Sequence, residues 1–375
     1  MSIRKLIKLI VLILVILLML AGCYNYNDIN NATFVTSVVF DLDPLDNVIV
    51  YMDCVKPYRN NNESSDNGKR IIYKGQGKTI LEAIRDVNMA STYKINFTQN
   101  RAIIFTEAAA KKGVNKFLSI LNNDQEFLFK PYMFVYFGDV NKLLTIVASD
   151  EEYLGIFLNE VVQKNKANPR AIITGVNDYM VNSGMGSNYA LLGAIEIRKD
   201  VVDERVELSG GVIMKDNIMQ ERISILDGFS YNMMWDNIKT GTVEAPNPQM
   251  EKGFITLEIL NNKTDTSVEY DGNRVLLKKT VNLKTTLAEA QGRFIVDKES
   301  MANFVANEER RIEEYLNQFF DKFNRKNIDI LGVERLLEMK YPSLIKSNVL
   351  SILDLEVKVN LNIEGTSVIR ESYFS

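Results

Sequence analysis

The sequence lacks histidine altogether, and its 375 residues include only two cysteines and one tryptophan. Histidine is the commonest general base in enzymes, the commonest protein ligand of metal ions and the usual pH switch near neutrality. Its absence argues against sites that depend on any of these three roles. Two cysteines allow one disulfide at most, so the fold cannot rest on a disulfide framework.

Runs of positive charge are also absent. The formal net charge is −4 at pH 7, and three of the positive charges, Arg4, Lys5 and Lys8, lie in the first 22 residues. Removal of those three charges changes the net charge from −4 to −7. An acidic body without a basic tract argues against nucleic acid as a partner. Its roughly 350 residues imply two or three domains, and a hydrophobic content of 46% is enough for a sizeable core.

The N-terminal segment has the pattern of an export signal. Behind the positive residues, an uninterrupted apolar run covers 13 residues, Leu9–Ala21. As a helix it would measure about 20 Å, which is short of the roughly 30 Å hydrocarbon core of a bilayer. It ends in Leu20-Ala-Gly-Cys23, which resembles the lipobox of bacterial lipoproteins. We therefore expect a lipoprotein signal peptide, 1–22, with diacylglycerol on Cys23 and an N-acyl chain as a further attachment. The alternative is an uncleaved anchor helix with an incidental cysteine.

The second cysteine lies in a predicted strand. Val48, Val50, Met52 and Cys54 alternate along the chain and form one apolar face. Because Cys54 is the only thiol left after lipidation, no internal disulfide is possible. We interpret Cys54 as a small residue of the core.

The rest of the chain predicts an α+β fold, in which the lipoprotein signal peptide precedes three mixed α/β domains with small, mostly antiparallel sheets. The N-terminal domain, 23–183, has predicted strands at Thr33–Phe40, Val48–Val55, Arg70–Lys74, Ala102–Phe105 and Tyr132–Phe137. Its predicted helices are Thr79–Ala90, Val114–Leu121, Tyr153–Gln163 and Arg170–Met180. A Thr-x-x-Glu capping box opens the first of these helices, and a polar break at 182–188 ends the domain.

A middle domain, 188–246, and a C-terminal domain, 250–375, are separated by a predicted proline-containing linker, Glu244–Met250. The middle domain has predicted strands at Ala190–Ile197, Glu207–Met214 and Gln220–Ile225, a hairpin tip at Asp216-Asn217, and a short helix from Asp227 through Trp235. The C-terminal domain has predicted strands at Phe254–Leu260, Ser267–Tyr270, Val275–Leu287 and Asp354–Ile363, and predicted helices at Ser300–Phe323 and Val333–Lys340. The apolar face of the longer helix consists of Ile312, Leu316, Phe319, Phe320 and Phe323.

Two stretches resemble ligand-binding loops but favour simpler interpretations. Gly75–Thr79 is similar to part of a phosphate loop, but that loop needs a glycine at position 72, where the sequence has Ile72. A strand-to-helix junction is therefore favoured. The acidic stretch 41–46 suggests calcium, but an EF-type loop needs a glycine and a glutamate where the sequence has Asp46 and Met52. A turn is favoured there.

Candidates for catalysis are equally weak. Asp150–Glu152 could form a carboxylate pair of the glycosidase type, but adjacent residues of a helix point apart, and acids favour a helix start. We interpret Trp235 as a core residue, with a partner-facing anchor as the alternative. No Gly-x-Ser-x-Gly nucleophile motif is present. The sequence therefore predicts no catalytic, cofactor-binding or metal-binding residue.

An ordered series of motifs behind the lipobox resembles the Ger(x)C family, the C subunits of nutrient germinant receptors in endospore-forming bacteria. Each motif is weak alone, and their order along the chain makes the resemblance specific. The motifs are Cys23–Ile29 followed by Phe34-Val35, Gly77–Arg85, Arg101–Glu107 with Ala110–Val114, Gly210–Asp216, Ile328–Val333 and Tyr341-Pro342. Two departures are Tyr24-Asn25 in place of Trp-Asp, and Lys94–Asn96 where the family commonly has a histidine.

The resemblance implies a non-enzymatic receptor subunit on the outer face of the inner spore membrane, with integral-membrane A and B subunits as partners. It carries over one site, the lipidated Cys23, and implies no cofactor. The alternatives are a lipoprotein enzyme of the cell envelope, or an envelope lipoprotein unrelated to germination that binds solutes or scaffolds other proteins. A solute-binding protein predicts two lobes around a deep polar cleft. The receptor subunit predicts three loosely packed domains without a deep polar pocket.

Overall fold

In a computed structural model of the chain, the structure describes residues 3, 4, 7, 32–55, 70–118, 130–146, 151–164, 169–294, 297–342 and 349–366. The predicted lipobox and Cys23 lie outside these residues, as does part of the helix predicted at 114–121. Over the described ranges the protein is α+β, with two sheets and helices packed on both, which confirms the predicted fold class.

The first sheet contains nine strands. They are β1 (Ala32–Leu42), β2 (Val48–Val55), β3 (Arg70–Gly77), β4 (Lys94–Asn96), β5 (Ala102–Thr106), β6 (Tyr132–Tyr136), β7 (Tyr189–Lys199), β8 (Glu204–Lys215) and β9 (Ile218–Ile223). The order is β3-β2-β1-β5-β6-β7-β8-β9, and β4 pairs with the beginning of β1. The central neighbours β1, β5, β6 and β7 are parallel, whereas the hairpins at both ends are antiparallel.

The second sheet contains four strands, β10 (Gly241–Pro246), β11 (Phe254–Tyr270), β12 (Val275–Ala290) and β13 (Leu353–Thr366), in that order. The long hairpin β11–β12 turns at Asp271, whose carboxylate accepts hydrogen bonds from the backbone N–H groups of Asn273 and Arg274, both at 2.8 Å. Strand β13 is parallel to β12. A parallel pair needs a long crossover, and helices supply it here.

Eight helices with both ends in the described ranges complete the fold, and residues 115–118, within the helix predicted at 114–121, are also helical. The eight are α1 (Ile80–Ala90), α2 (Glu107–Lys112), α3 (Val140–Thr145), α4 (Leu154–Lys164), α5 (Val176–Ser183), α6 (Ile225–Met234), α7 (Lys298–Asn324) and α8 (Val333–Lys340). The predicted apolar face of α7 is buried at all five positions. Thr79 caps α1 by accepting a hydrogen bond from the backbone N–H of Glu82, as predicted.

Apolar residues on both faces of the first sheet explain its parallel centre. One face packs against α1, α2 and α5, and Phe40, Phe105 and Phe117 lie together there with ring centroids 4.8–5.7 Å apart. The other face packs against α3 and α4. Strand β5 is buried at every position, which is typical of a strand covered on both faces.

A further core joins the two sheets. It packs the second sheet against α6, α7 and α8, and it includes Ile172, Ile213 and Ile223 from the region of the first sheet. The structure differs here from the expectation of loosely packed segments. Strands predicted for 188–246 also belong to the same sheet as those of 23–183, because β7 pairs with β6. The division into three domains stays a prediction.

The helix predicted at Arg170–Met180 is wrong in its first half, because α5 begins only at Val176. The preceding residues find hydrogen-bond partners in neighbouring strands instead of in a helix. The N–H of Ile172 donates to the carbonyl oxygen of Gly210 at 3.0 Å, and the carbonyl oxygen of Thr174 accepts from the N–H of Met133 at 2.9 Å. These tertiary bonds outweigh the local helical periodicity.

Two predictions around the middle segment are also corrected. The proposed linker Glu244–Met250 begins inside strand β10, which pairs with β11 up to Pro246. A proline is tolerated there because it ends an edge strand. Helix α6 begins at Ile225, two residues before the predicted start at Asp227; Ser224 is its N-cap, and Asp227 forms the other half of a capping box. The predicted hairpin tip is confirmed, with Asp216 and Asn217 at φ angles of 50° and 64°.

Candidate functional site

Of the two cysteines, Cys54 lies in the part of the chain that the structure describes and Cys23 does not. Cys54 is fully buried in β2, which confirms its interpretation as a core residue, and burial raises the pKa of its thiol far above the ordinary value. Cys23 lies outside the described residues, so its lipidation stays a prediction. In the part of the chain that the structure describes, no helix combines the length and apolar character needed to cross a membrane.

The glycines near Lys78 serve helix packing. A Cβ atom at Gly75 would lie 2.0 Å from the carbonyl oxygen of Ala83, so only glycine lets α1 approach β3 this closely. The backbone N–H of Lys78 donates to a carboxylate oxygen of Glu82 at 2.7 Å. The junction is therefore a strand-to-helix cap, as predicted, and its N–H groups are not directed at a phosphate.

The acidic residues noted in the sequence form a turn and a helix start. One carboxylate oxygen of Asp43 accepts from the backbone N–H groups of Leu45 and Asn47, both at 2.8 Å. The pKa of Asp43 is lowered mainly by the hydrogen bond from the Asn47 side chain, and these backbone hydrogen bonds lower it further. Glu151 accepts from the N–H of Tyr153 at 3.1 Å just before α4, while Asp150 lies outside the described residues. Across the described ranges, no group of three or more acidic or cysteine side chains is arranged to hold a metal ion.

The single tryptophan is the centre of an unusual charged group. The Lys279 ammonium nitrogen lies 3.7 Å from the centroid of the Trp235 ring, and the Arg335 guanidinium carbon lies 5.7 Å from it. We call Trp235, Lys279 and Arg335 the cation–indole cluster. Lys279 is fully buried and donates to the carbonyl oxygen of Met234 at 3.0 Å and to the hydroxyl of Thr266 at 2.9 Å. Cations over an aromatic face are attracted by its quadrupole.

A cavity of about 220 Å³ opens beside this cluster, and we call it the junction cavity. Three segments of the chain line it: the region between Ile172 and Leu191, the end of α6 from Tyr231 to Asn237, and the turn before α8 from Asp329 to Arg335. It therefore lies where the first sheet meets the C-terminal part of the chain. Polar groups converge on it, and the expectation of no deep polar pocket stays a prediction.

The polar groups of the junction cavity are held in defined positions. The two carboxylate oxygens of Asp329 accept from the backbone N–H groups of Val333 and Glu334 at 2.8 and 2.9 Å, which caps α8. Arg335 extends from α8 and donates a short hydrogen bond to the side-chain oxygen of Asn182. The hydrogen bond between Asn182 and Arg335 bridges the two parts of the chain.

A second cavity is a shallow apolar groove of about 300 Å³ between α6, α7 and β10. Leu226 and Tyr315 on its border are 76% and 56% exposed, respectively. Arg170 and Arg311 also lie along it.

Lys279 and Arg335 were not singled out by sequence reasoning. One signal was present, because Lys279 occupies an inward position of β12 between Leu277 and Val281, where a charged residue is unexpected. Arg335 carried no comparable signal, since it lies on an ordinary amphipathic helix. Trp235 was expected in the core, and the structure places it partly buried at the edge of the junction cavity.

Comparison with known proteins identifies the family. The model of the spore germination protein N-terminal domain matches residues 25–197, and the model described as spore germination B3/GerAC like, C-terminal, matches residues 209–367. The chain is 20% identical over 318 residues to the spore germination protein GerQC of Bacillus cereus, covering 84% of this chain and 86% of that protein. The crystal structure of the GerBC protein is similar in fold, with a TM-score of 0.53 and 14% identity over 91% of this chain and 100% of that chain. The two family models together cover most of the sequence in the expected order, and the chain therefore belongs to the Ger(x)C family of spore germination proteins.

Proposed function

We propose that this chain is the membrane-anchored lipoprotein C subunit of a nutrient germinant receptor, required for spore germination. The observation that carries the proposal is the match of both family models, the first beginning at residue 25, directly behind the predicted lipid site Cys23. The region that matches the family thus follows the predicted lipobox directly along the chain. An envelope lipoprotein unrelated to germination is disfavoured by the same match.

The proposed role is an interaction role and not an enzymatic one. Candidate acids from the sequence hold backbone N–H groups in a turn and at a helix start, as Asp43 and Glu151 do. The only thiol of the mature body, Cys54, is buried and held protonated by a raised pKa. These groups are occupied by the fold, which supports a body that acts through its surface.

The lipid anchor would keep this surface beside membrane partners. Two acyl chains of diacylglycerol make attachment effectively permanent, because each buried CH₂ contributes about 0.8 kcal/mol. We propose that the anchored body contacts integral-membrane A and B subunits at the outer face of the inner spore membrane. Permanent attachment raises the effective concentration of the subunit for such partners.

Replacement of Cys23 by alanine tests the anchor. We expect Cys23→Ala to abolish incorporation of a labelled fatty acid and to move the protein from the membrane fraction to the soluble fraction. Cys54→Ala is the matched control, since it removes the other thiol and should leave both readouts unchanged. Retention of the label and of membrane attachment in Cys23→Ala would refute the anchor.

A further inference from the structure

We propose that the junction cavity binds a small carboxylate, with the carboxylate on Arg335 and the carbon skeleton against the indole of Trp235. The inference concerns a ligand site within the body of the protein. It does not depend on the lipid anchor or on the proposed receptor partners.

Arg335 interacts electrostatically with the Asp329 carboxyl but forms no direct ion pair within the described chain. Its guanidinium group donates to the neutral side chain of Asn182, and no described carboxylate oxygen lies within 4.0 Å of its nitrogens. The nearby Asp329 is committed to the N terminus of α8, because both of its oxygens accept backbone N–H groups. A guanidinium group has five N–H donors and matches a carboxylate in a two-point geometry. The free donors of Arg335 therefore suit an anion in this cavity.

A second basic side chain lies close to Arg335. Lys279 lies beneath the same indole and has no described carboxylate partner either, since its bonds go to a carbonyl and a hydroxyl group. Lys279 itself does not line the cavity, and burial beside Arg335 lowers its pKa to about 7, so Arg335 supplies the positive charge of the lining. Charged groups in a partly buried site interact more strongly than they would in water.

The size and the remaining lining define the rest of the ligand. A volume of about 220 Å³ exceeds the roughly 150 Å³ of an engineered protein cavity that binds benzene. An organic acid of about eight non-hydrogen atoms is of that size. Its apolar part would contact the indole of Trp235 and the side chains of Leu191 and Ile330, which also line the cavity.

Two kinds of acid share this chemistry, and Asp178 distinguishes them. Asp178 is an exposed residue in the first turn of α5 and lines the same cavity. A ligand that carries an ammonium group beside its carboxylate would gain from Asp178, whereas a plain carboxylate would not. The Asp178→Asn variant separates the two, because it should weaken binding of the zwitterion only.

The only tryptophan of the chain lies in the proposed site, so intrinsic fluorescence reports binding directly. We would titrate the full-length chain in detergent with 4-methylpentanoate, with leucine and with 4-methylpentan-1-ol. These three compounds share one branched skeleton and differ in the carboxylate and the ammonium group. We expect saturable fluorescence changes with the carboxylate or the zwitterion and a response at least tenfold weaker with the alcohol. Absence of a saturable change with both acids would overturn the proposal.

Variants of the cluster test the role of Arg335. Loss of a charged hydrogen-bond partner corresponds to about a ten- to hundredfold change in Kd, which is the increase expected for Arg335→Gln. Arg325→Gln is the matched control, because Arg325 is an exposed arginine whose side chain is 81% accessible. Asn182→Asp is a second test, because it keeps the side-chain size and places a carboxylate on Arg335. That carboxylate should compete with the ligand and raise its Kd at least tenfold. Unchanged affinity in Asn182→Asp, with unchanged unfolding, would contradict the site.

Discussion

Lys279 is the residue whose environment departs most from that of an ordinary lysine. It lies on the apolar face of β12, and its ammonium group is enclosed by the indole of Trp235, the carbonyl oxygen of Met234 and the hydroxyl of Thr266. Burial, and in second place the positive charge of Arg335, lowers its pKa to about 7. The neutral amine is therefore favoured in the folded protein across a pH range where an unfolded chain carries the charge.

This difference predicts a pH-dependent contribution to stability. Between the folded pKa of Lys279, about 7, and the unfolded value of about 10.4, the unfolded chain binds one more proton, so the free energy of unfolding rises with pH. The contribution is at most about 1.4 kcal/mol per pH unit. We expect urea unfolding at pH 7, 8 and 9, followed by circular dichroism, to show this rise in the wild type. The rise should be absent or much smaller in Lys279→Met, and parallel profiles would contradict the assignment.

At the scale of single residues, the sequence was informative where one local pattern decides the outcome. The burial of Cys54 follows from its place on an apolar face of β2, and the burial of Phe323 follows from helical spacing in α7. The surroundings of Lys279 and Arg335 could not be predicted in this way. Met234 is 45 residues away from Lys279, and Asn182 is 153 residues away from Arg335, so tertiary packing alone brings them together.

Helix α4 shows how one residue fixes the position of an element. It packs against β1 through Gly155, where a Cβ atom would lie 1.9 Å from the carbonyl oxygen of Thr36. Real Cβ atoms do not approach backbone oxygens this closely. The helix must therefore move away from the sheet if Gly155 gains a side chain, and that movement would disturb the core formed by Leu154 and Leu158.

The Gly155→Ala substitution is expected to destabilise the protein by about 1–3 kcal/mol, because overpacking displaces α4. Helix propensity alone predicts the opposite sign, a gain of about 1 kcal/mol. Chemical denaturation distinguishes the two outcomes. Gly184→Ala is the control, since its nearest neighbour would lie 3.5 Å away and the change should remain within about 0.5 kcal/mol. Equal stability of both variants would show that the contact is unimportant.

At the scale of elements, strong periodic patterns predicted type and position, and boundaries depended on partners distant in sequence. Helices α7 and α8 were placed within two residues of the structure. The first half of the helix predicted at Arg170–Met180 is instead bonded to Met133 and Gly210. Pro246 suggested a linker because local rules disfavour proline in strands, and only the pairing with Phe254 shows that it ends an edge strand.

For the whole molecule, the core around α7 connects the two sheets. Ion pairs add to that connection, with Lys322 bound to Asp227 at 2.6 Å and Lys326 bound to Glu221 at 2.8 Å. These pairs are partly exposed and contribute little by themselves. The shared apolar cluster stabilises the connection more than the ion pairs do, because it buries apolar residues from both sheets.

The continuous core predicts cooperative unfolding. We expect the denaturation curve of Trp235 fluorescence, which reports the junction, to coincide with the curve of far-ultraviolet circular dichroism, which reports both sheets. Coincidence of different spectroscopic signals is the standard test of a single transition. Two separate transitions, with the fluorescence change confined to one of them, would show instead that the segments unfold independently.

Germination of spores that lack this chain tests the central claim most directly. The response to single nutrients would be followed as the fall in optical density of spore suspensions from the wild type, from a deletion strain and from a deletion strain complemented with Cys23→Ala. We predict that deletion abolishes the response to at least one nutrient class, that the wild-type chain restores it, and that Cys23→Ala restores it poorly. An unchanged response of the deletion strain to every nutrient would contradict the role as a receptor subunit.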